Sequence, residues 1–396
     1  MSNSYEGDIE RFIDELTKSG LNRRALLKRA GAGALGLSFA GFLAACGGGG
    51  GGGGKVIPKG KISDRLTFSN WPYYMDVKGK RHPTLDKFQQ KYGTKVKYVE
   101  EINGNNEFFG KVRQQYDRGD SGGRDLHVVT DWMASRMKLL GYVQKLDKSA
   151  MPNVVKNLDP AVASPGFDPK REYSVPWQTF QVLLIFRKDK VGNITHVNEL
   201  FDPKLKGKVT MLSEMRDTIG SVLLGDGVEP EKATLDQVMQ AIDKVGKAAK
   251  DGQIRRFTGN EYTGEILKGD SHAVLGWSGD AFQLTKQDKN IGYNQPADGF
   301  MVLTDSMQIP VGAPHAFTAE KMMDFVYDPE IQAGITEYLH YVPPVKGTKE
   351  ALQARNSAVA GSPLVFPDLS RSHSFKLFPI EEEQQIDAAF QKAIGA

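Results

Sequence analysis

Short apolar runs alternate with helical patterns beyond residue 59, and this alternation constrains the fold most strongly. Lys95 to Glu100 alternates with period two, which is typical of a strand with one buried face. Gln181 to Phe186 is apolar almost throughout, as in a strand covered on both faces. Strand-like runs that alternate with helical patterns predict an α/β fold. The predicted strands cover residues 66–70, 95–100, 125–129, 181–186, 208–212 and 272–276.

The strands fall into two α/β sets, and the chain crosses between them. The run from Phe300 to Pro310 has the pattern of a strand that leaves one set and re-enters the other. The roughly 340 residues from residue 59 onward are also more than one small hydrophobic core usually holds. We therefore predict two lobes joined by a hinge of crossing segments, with a ligand cleft between them. The predicted boundaries are residues 59–178 and 306–370 for lobe 1, and 179–305 and 371–396 for lobe 2.

The amino-terminal region has the features of an export signal. Arg23 and Arg24 precede a modest apolar run that ends in Leu-Ala-Ala-Cys at Cys46, the only cysteine of the chain. The run is shorter and richer in Gly and Ala than a membrane-spanning helix, which needs ~20 strongly apolar residues. We predict a twin-arginine lipoprotein signal peptide over residues 1–45 and a lipid anchor on Cys46. A glycine-rich tether over residues 46–58 would then display the protein on the outer face of the cytoplasmic membrane.

Charge and motifs argue against several classes of function. The 51 Lys and Arg residues nearly balance the 48 Asp and Glu residues, whereas nucleic-acid binders usually carry a concentrated basic face. The histidines lack metal-ligand spacing such as H-E-x-x-H, and no phosphate-binding motif of the complete form G-x-x-x-x-G-K-[ST] occurs in the sequence. We therefore expect no enzyme activity, cofactor, metal site or nucleic-acid partner, and a monomer.

Aromatic and acidic residues cluster near the ends of the predicted strands. The four tryptophans lie at such points, and one Asp there is more often a helix cap than a ligand group. Several carboxylates in one aromatic cleft would repel one another unless a cation neutralised them. An organic ammonium suits both groups, because carboxylates accept its hydrogen bonds and aromatic faces attract its charge. The residues in question are Trp71, Trp132, Trp177, Trp277, Asp131, Glu214, Asp217, Asp280 and Asp305.

Several segments resemble the spermidine/putrescine-binding component of bacterial polyamine ABC importers. They are Asn70–Tyr74, Asp125–Met137, Tyr142–Lys148, Asn157–Pro160, Phe167–Pro169 and Tyr173–Trp177. The resemblance extends from about Leu66 to Tyr341. It implies a two-lobed periplasmic-binding-protein fold of type II, an ABC permease as partner, and a putrescine or spermidine ligand. The matching site positions are Trp71, Tyr74, Thr130, Trp132, Glu214, Asp217, Trp277, Asp280, Asp305 and Tyr341.

Three departures leave the length of the polyamine open. Glu214 stands where the family usually has a shorter Asp, Leu303 where spermidine-type members carry an aromatic residue, and Asp131 where a neutral residue is usual. Other ligands also remain open, namely a sugar, an amino acid, or ferric iron bound through Tyr73 and Tyr74. A glycoside hydrolase with Glu214 and Asp217 as its acid/base pair is the alternative from a different class.

Overall fold

The protein is described here by a computed structural model over residues 60–395. The predicted signal peptide, Cys46 and the predicted tether lie outside the described residues. Ten strands occur in the described part of the chain: β1 (Arg65–Asn70), β2 (Lys95–Glu100), β3 (Leu126–Thr130), β4 (Val175–Arg187), β5 (Val209–Leu212), β6 (Ile254–Thr258), β7 (Ala273–Trp277), β8 (Ile291–Asn294), β9 (Phe300–Gln308) and β10 (Ser372–His373).

The α-helices flank these strands, and short 3₁₀ turns occur in the connections. The helices of residues 60–395 are α1 (Pro83–Tyr92), α2 (Asn105–Tyr116), α3 (Asp131–Leu139), α4 (Pro152–Asn157), α5 (Lys188–Val191), α6 (Met215–Gly225), α7 (Leu235–Lys250), α8 (Tyr262–Lys268), α9 (Ser278–Gln287), α10 (Ala316–Val326), α11 (Pro329–Leu339), α12 (Thr348–Ala354) and α13 (Ile380–Ile394).

The strands form a mixed sheet in the order β2-β1-β3-β9-β4-β7-β5-β6, with β10 beside β9 and β8 beside β4. One end of the sheet contains the parallel set β2-β1-β3, and the other end contains the parallel set β7-β5-β6. Strands β4 and β9 run antiparallel to their neighbours in both sets. The two sets predicted from the sequence are therefore confirmed.

Strand β4 joins the two sets. Its first part, from Val175 to Gln181, pairs with β9, and its second part, from Val182 to Phe186, pairs with β7. Every residue from Val175 to Phe186 is buried, which explains the almost unbroken apolar run. The strand begins six residues before the predicted start at Gln181, because the polar side chains of Gln178 and Thr179 are also buried.

Local sequence explains where several helices begin and what they bury. The hydroxyl of Thr234 accepts a hydrogen bond from the backbone N–H of Gln237, and Oε1 of Gln237 accepts one from the backbone N–H of Thr234, forming a capping box at the start of α7. Residues 238, 241, 242 and 245 of that helix are buried at helical spacing, and the helix packs against α13, α6 and β6. Asp328 caps α11 in front of Pro329, which occupies the first position of the helix. In residues 60–395 no helix combines the length and hydropathy that a membrane crossing requires.

Candidate ligand-binding site

A cavity of about 370 Å³, including its opening to solvent, lies where the two parallel sets meet. Thr130 ends β3, Trp277 ends β7, and Trp71 directly follows β1. Strand β4 runs in the direction of β3 and then pairs antiparallel with β7, with Trp277 opposite Val182, so the carboxyl ends of the two parallel sets face each other and bring these side chains together. The lining residues are Trp71, Pro72, Tyr74, Thr130, Phe180, Glu214, Asp217, Asn260, Trp277, Asp305 and Tyr341.

Aromatic rings form much of the wall. The rings of Trp71 and Trp277 meet edge to face at 6.0 Å between centroids, which brings the two sheet ends into contact. Tyr74 and Tyr341 meet in the same way at 5.0 Å. Phe180 lies 6.2 Å from Trp277. Such rings present apolar surface to methylene groups and a negative face to a cation.

Asp305 is the most poorly satisfied acid of the cavity. The Tyr74 hydroxyl donates a hydrogen bond of 2.9 Å to its Oδ2 atom, while Oδ1 is buried without a hydrogen-bond partner in the described residues. Burial is the main reason that the pKa of Asp305 is raised to about 7; the charges of Asp131 and Glu214 act in the same direction, whereas Thr130 and Tyr74 lower the pKa. The carboxyl group is therefore ready to accept a positively charged donor.

Two more acids line the cavity from α6 and the residue before it. The Trp277 indole N–H donates a 2.9 Å hydrogen bond to Oδ1 of Asp217, and burial followed by the charge of Glu214 raises the pKa of Asp217 strongly. The backbone and side-chain amides of Asn105 donate to the two oxygens of Glu214 at 2.8 and 3.0 Å. Burial also raises the pKa of Glu214. All three acids are thus destabilised in their charged form.

Among the residues that the structure describes, no Lys, Arg or His lines the cavity. The nearest cation along the chain, Arg216, is paired with Glu383 and lies 4.1 Å from the centre of the Trp132 ring. In residues 60–395 no three His, Cys, Asp or Glu side chains converge as metal ligands. The cavity therefore combines aromatic walls with three buried acids, an arrangement that an organic cation would neutralise.

The structure brings eight of the thirteen predicted site residues to the cavity. They are Trp71, Tyr74, Thr130, Glu214, Asp217, Trp277, Asp305 and Tyr341. Tyr73 does not line it, because its side chain is 58% exposed and its backbone has the left-handed φ of 59°. Trp177 is buried behind the wall, where it contacts Phe68 and Tyr74.

Three further predicted residues also lie outside the cavity lining. Asp131 accepts a hydrogen bond from Ser306 and lies 3.6 Å from the Arg171 guanidinium. Trp132 packs under Arg216, and Asp280 accepts hydrogen bonds from Tyr262 and Asn260. Asp131 and Trp132 lie in the first turn of α3.

Sequence reasoning missed three lining residues: Pro72, Phe180 and Asn260. Pro72 lies within the first-loop motif and could have been found there. Phe180 lies in β4, just before the predicted strand begins. Asn260 follows β6, a strand whose exposed Arg255 and Arg256 interrupt its apolar pattern.

Comparison with known proteins places this geometry in a family. The sequence model described as "Bacterial extracellular solute-binding protein" matches residues 84–360, more than half of the chain. The chain belongs to this family. Its mixed α/β sheet is the two-lobed periplasmic-binding-protein fold expected from the sequence, with β4 and β9 as the crossing strands.

Individual relatives of this solute-binding protein are distant but cover most of its length. It is 24% identical over 308 residues to the spermidine/putrescine-binding periplasmic protein of Escherichia coli, covering 77% of this chain and 84% of the relative. It is 24% identical over 390 residues to the putrescine-binding periplasmic protein SpuD of Pseudomonas aeruginosa, covering 93% and 99%. The TpPotD lipoprotein of Treponema pallidum has a similar structure, with a TM-score of 0.70, 23% identity, and coverage of 84% of this chain and 100% of that one.

Proposed function

We propose that this solute-binding protein captures a polyamine, putrescine or spermidine, in the cavity and delivers it to an ABC permease. The names of the relatives from E. coli and P. aeruginosa support this ligand class. The aromatic wall supports it as well, because rings cover the methylenes of a flexible amine and attract its charge. The alternative ligand, ferric iron bound through Tyr73 and Tyr74, has less support, since Tyr73 is exposed and the Tyr74 hydroxyl donates a hydrogen bond to Asp305.

The proposal rests mainly on Oδ1 of Asp305, which is buried in an acidic cavity and has no hydrogen-bond partner among the described residues. A buried acceptor without a hydrogen bond is costly, and most such atoms in native proteins have a partner. An ammonium group would supply both the missing donor and the missing positive charge. Asp217 and Glu214 would also interact with the charge of the ammonium group, because both residues line the same cavity. The charge of Glu214 raises the pKa of both Asp217 and Asp305.

The cellular setting is part of the same proposal. Cleavage before Cys46 and lipidation of its thiol would anchor the protein through the glycine tether on the outer face of the cytoplasmic membrane. We propose that the two lobes keep the boundaries predicted from the sequence and that the protein acts as a monomer. The mass of membrane-extracted protein should include a diacylglyceryl group on Cys46. Retention of a Cys46→Ala variant in the membrane fraction would contradict the anchor.

Calorimetric titration with putrescine tests the ligand assignment. Asp305→Asn removes a charged hydrogen bond worth about 1.5–3 kcal/mol, so the affinity should fall roughly 10- to 150-fold. Asp243→Asn is the matched control, because Asp243 is exposed on α7. Equal affinities for all three proteins would remove Asp305 from the site, and no binding of putrescine or spermidine to the wild type would refute the proposed function.

A further inference from the structure

Asn260 has an unused acceptor atom in the cavity. The residue is 7% exposed and lines the cavity next to the end of β6. Its Nδ2 atom donates a 3.1 Å hydrogen bond to Oδ2 of Asp280. Its Oδ1 atom is buried and has no hydrogen-bond partner in the described part of the chain. A buried amide oxygen in this state needs a donor from outside the protein, because leaving it unpaired is unfavourable.

The surrounding hydrogen bonds fix which way the Asn260 amide points. Oδ2 of Asp280 also accepts a 2.6 Å hydrogen bond from the Tyr262 hydroxyl, and that hydroxyl accepts one from the backbone N–H of Trp277 at 2.9 Å. The Tyr262 proton is therefore directed to Asp280. A flipped Asn260 amide would place its oxygen against the Asp280 carboxylate, where two acceptors repel. The nitrogen accordingly belongs at Asp280, and the oxygen is left for a ligand.

Asn260 and Asp305 come from different parts of the sheet. Asp305 lies on the central strand β9 and pairs with Thr130 of the first parallel set, whereas Asn260 follows β6 at the far edge of the second set. Both residues line the same cavity, and within residues 60–395 each has one buried oxygen without a hydrogen-bond partner. Glu214 differs from them, because Asn105 already donates to both of its oxygens. Two open acceptors in one cavity suit a ligand with more than one N–H donor.

We propose that Asn260 is a ligand-binding residue whose Oδ1 accepts a hydrogen bond from the second amine of a diamine held at Asp305. This inference rests on the proposed function and adds a specificity determinant to it. Asp280, which the sequence predicted as a ligand group, is a positioning residue that holds the Asn260 amide. Oδ1 of Asn260 is uncharged, so this part of the site recognises a hydrogen-bond donor on the ligand and does not require a second positive charge.

Paired ligands test the inference. Putrescine and 1-aminopentane have similar lengths and share one ammonium, but the second ends in a methyl group that cannot donate. The wild type should prefer putrescine by roughly tenfold or more, since a site built to hydrogen-bond a donor rejects the analogue without it. Asn260→Leu should weaken putrescine binding by about tenfold or more and 1-aminopentane binding by less than about threefold. An equal loss for both ligands, or no loss for either, would overturn the assignment.

Two variants of Asp280 separate positioning from direct contact. Asn at position 280 keeps an oxygen that can accept from Nδ2 of Asn260, so Asp280→Asn should keep the preference for putrescine within about fivefold of the wild type. Asp280→Ala releases the amide and should lower the preference as Asn260→Leu does. If Asp280→Asn and Asp280→Ala lower it equally, the charge of Asp280 itself binds the amine and the inference is wrong.

The wild-type complex decides the question if the variants do not fold. In a crystal structure with putrescine, a nitrogen within about 3.2 Å of Oδ1 of Asn260 supports the assignment. A nitrogen at Asp280 with Oδ1 of Asn260 still unpaired overturns it. A wild type that binds neither amine refutes the proposed function instead, and the role of Asn260 falls with it.

Discussion

Acidification should weaken polyamine binding through Asp305. Burial holds the pKa of this acid at about 7 in the unliganded protein, while an ammonium ligand requires the carboxylate. The apparent dissociation constant then rises by a factor of one plus the ratio of protonated to ionised Asp305. Between about pH 8 and about pH 5 this factor grows from close to one to roughly 100, which corresponds to about 2.7 kcal/mol.

Isothermal titration of the wild type with putrescine at several pH values measures this dependence. Near pH 6 each binding event should release roughly 0.9 protons from Asp305, which appears as a dependence of the observed heat on the buffer. Asp305→Asn should bind more weakly at about pH 8, and its affinity should depend less steeply on pH between about pH 5 and pH 8; some dependence should remain, because Asp217 and Glu214 also have raised pKa values. A constant affinity for the wild type across this range, or an equally steep profile for Asp305→Asn, would show that Asp305 does not cause the dependence.

Two further predictions concern packing and stability. A methyl group on Gly279 would lie 2.3 Å from the Tyr341 ring and 2.7 Å from the Leu339 carbonyl. Gly279→Ala should therefore displace the cavity wall and weaken putrescine binding at least several-fold. Gly264→Ala is the control, because a methyl group there has open space, and equal affinities for the two variants would contradict the prediction. The folded-state pKa of Asp305 exceeds its unfolded value of 3.8. Urea unfolding of the ligand-free wild type should therefore show stability falling from about pH 4 to about pH 7, on the order of 4 kcal/mol, and an identical fall in Asp305→Asn would contradict the assignment.

The sequence predicted the strand ends of the site well, for a physical reason. Strands β1, β3 and β7 have clear apolar patterns, and ligands of α/β sheets bind at the carboxyl ends of the strands. Trp71, Thr130 and Trp277 could therefore be predicted to line a cleft between two lobes from their positions at strand ends. The resemblance to polyamine-binding components supplied residues that strand patterns could not, such as Tyr341.

The sequence could not separate lining residues from supporting ones. Trp132, Asp131 and Asp280 follow strands just as the lining residues do, yet each of them contacts another side chain of the protein. Arg216 lies over the Trp132 ring, Arg171 lies close to Asp131, and Tyr262 donates a hydrogen bond to Asp280. These contacting residues are distant in the chain or belong to no recognisable sequence motif, so only the tertiary structure shows the contacts. Conversely, Asn260 follows a strand that was not predicted, since the alternation of β6 is broken by adjacent arginines.

The most direct test of polyamine recognition compares putrescine with 1,4-butanediol in calorimetric titrations of the wild type at about pH 8. The two molecules share a four-carbon chain, but only putrescine carries positive charges that can neutralise Asp305, Asp217 and Glu214. Our account predicts stoichiometric binding of putrescine and at least 100-fold weaker binding of the diol. Comparable affinities, or binding of the diol alone, would contradict it.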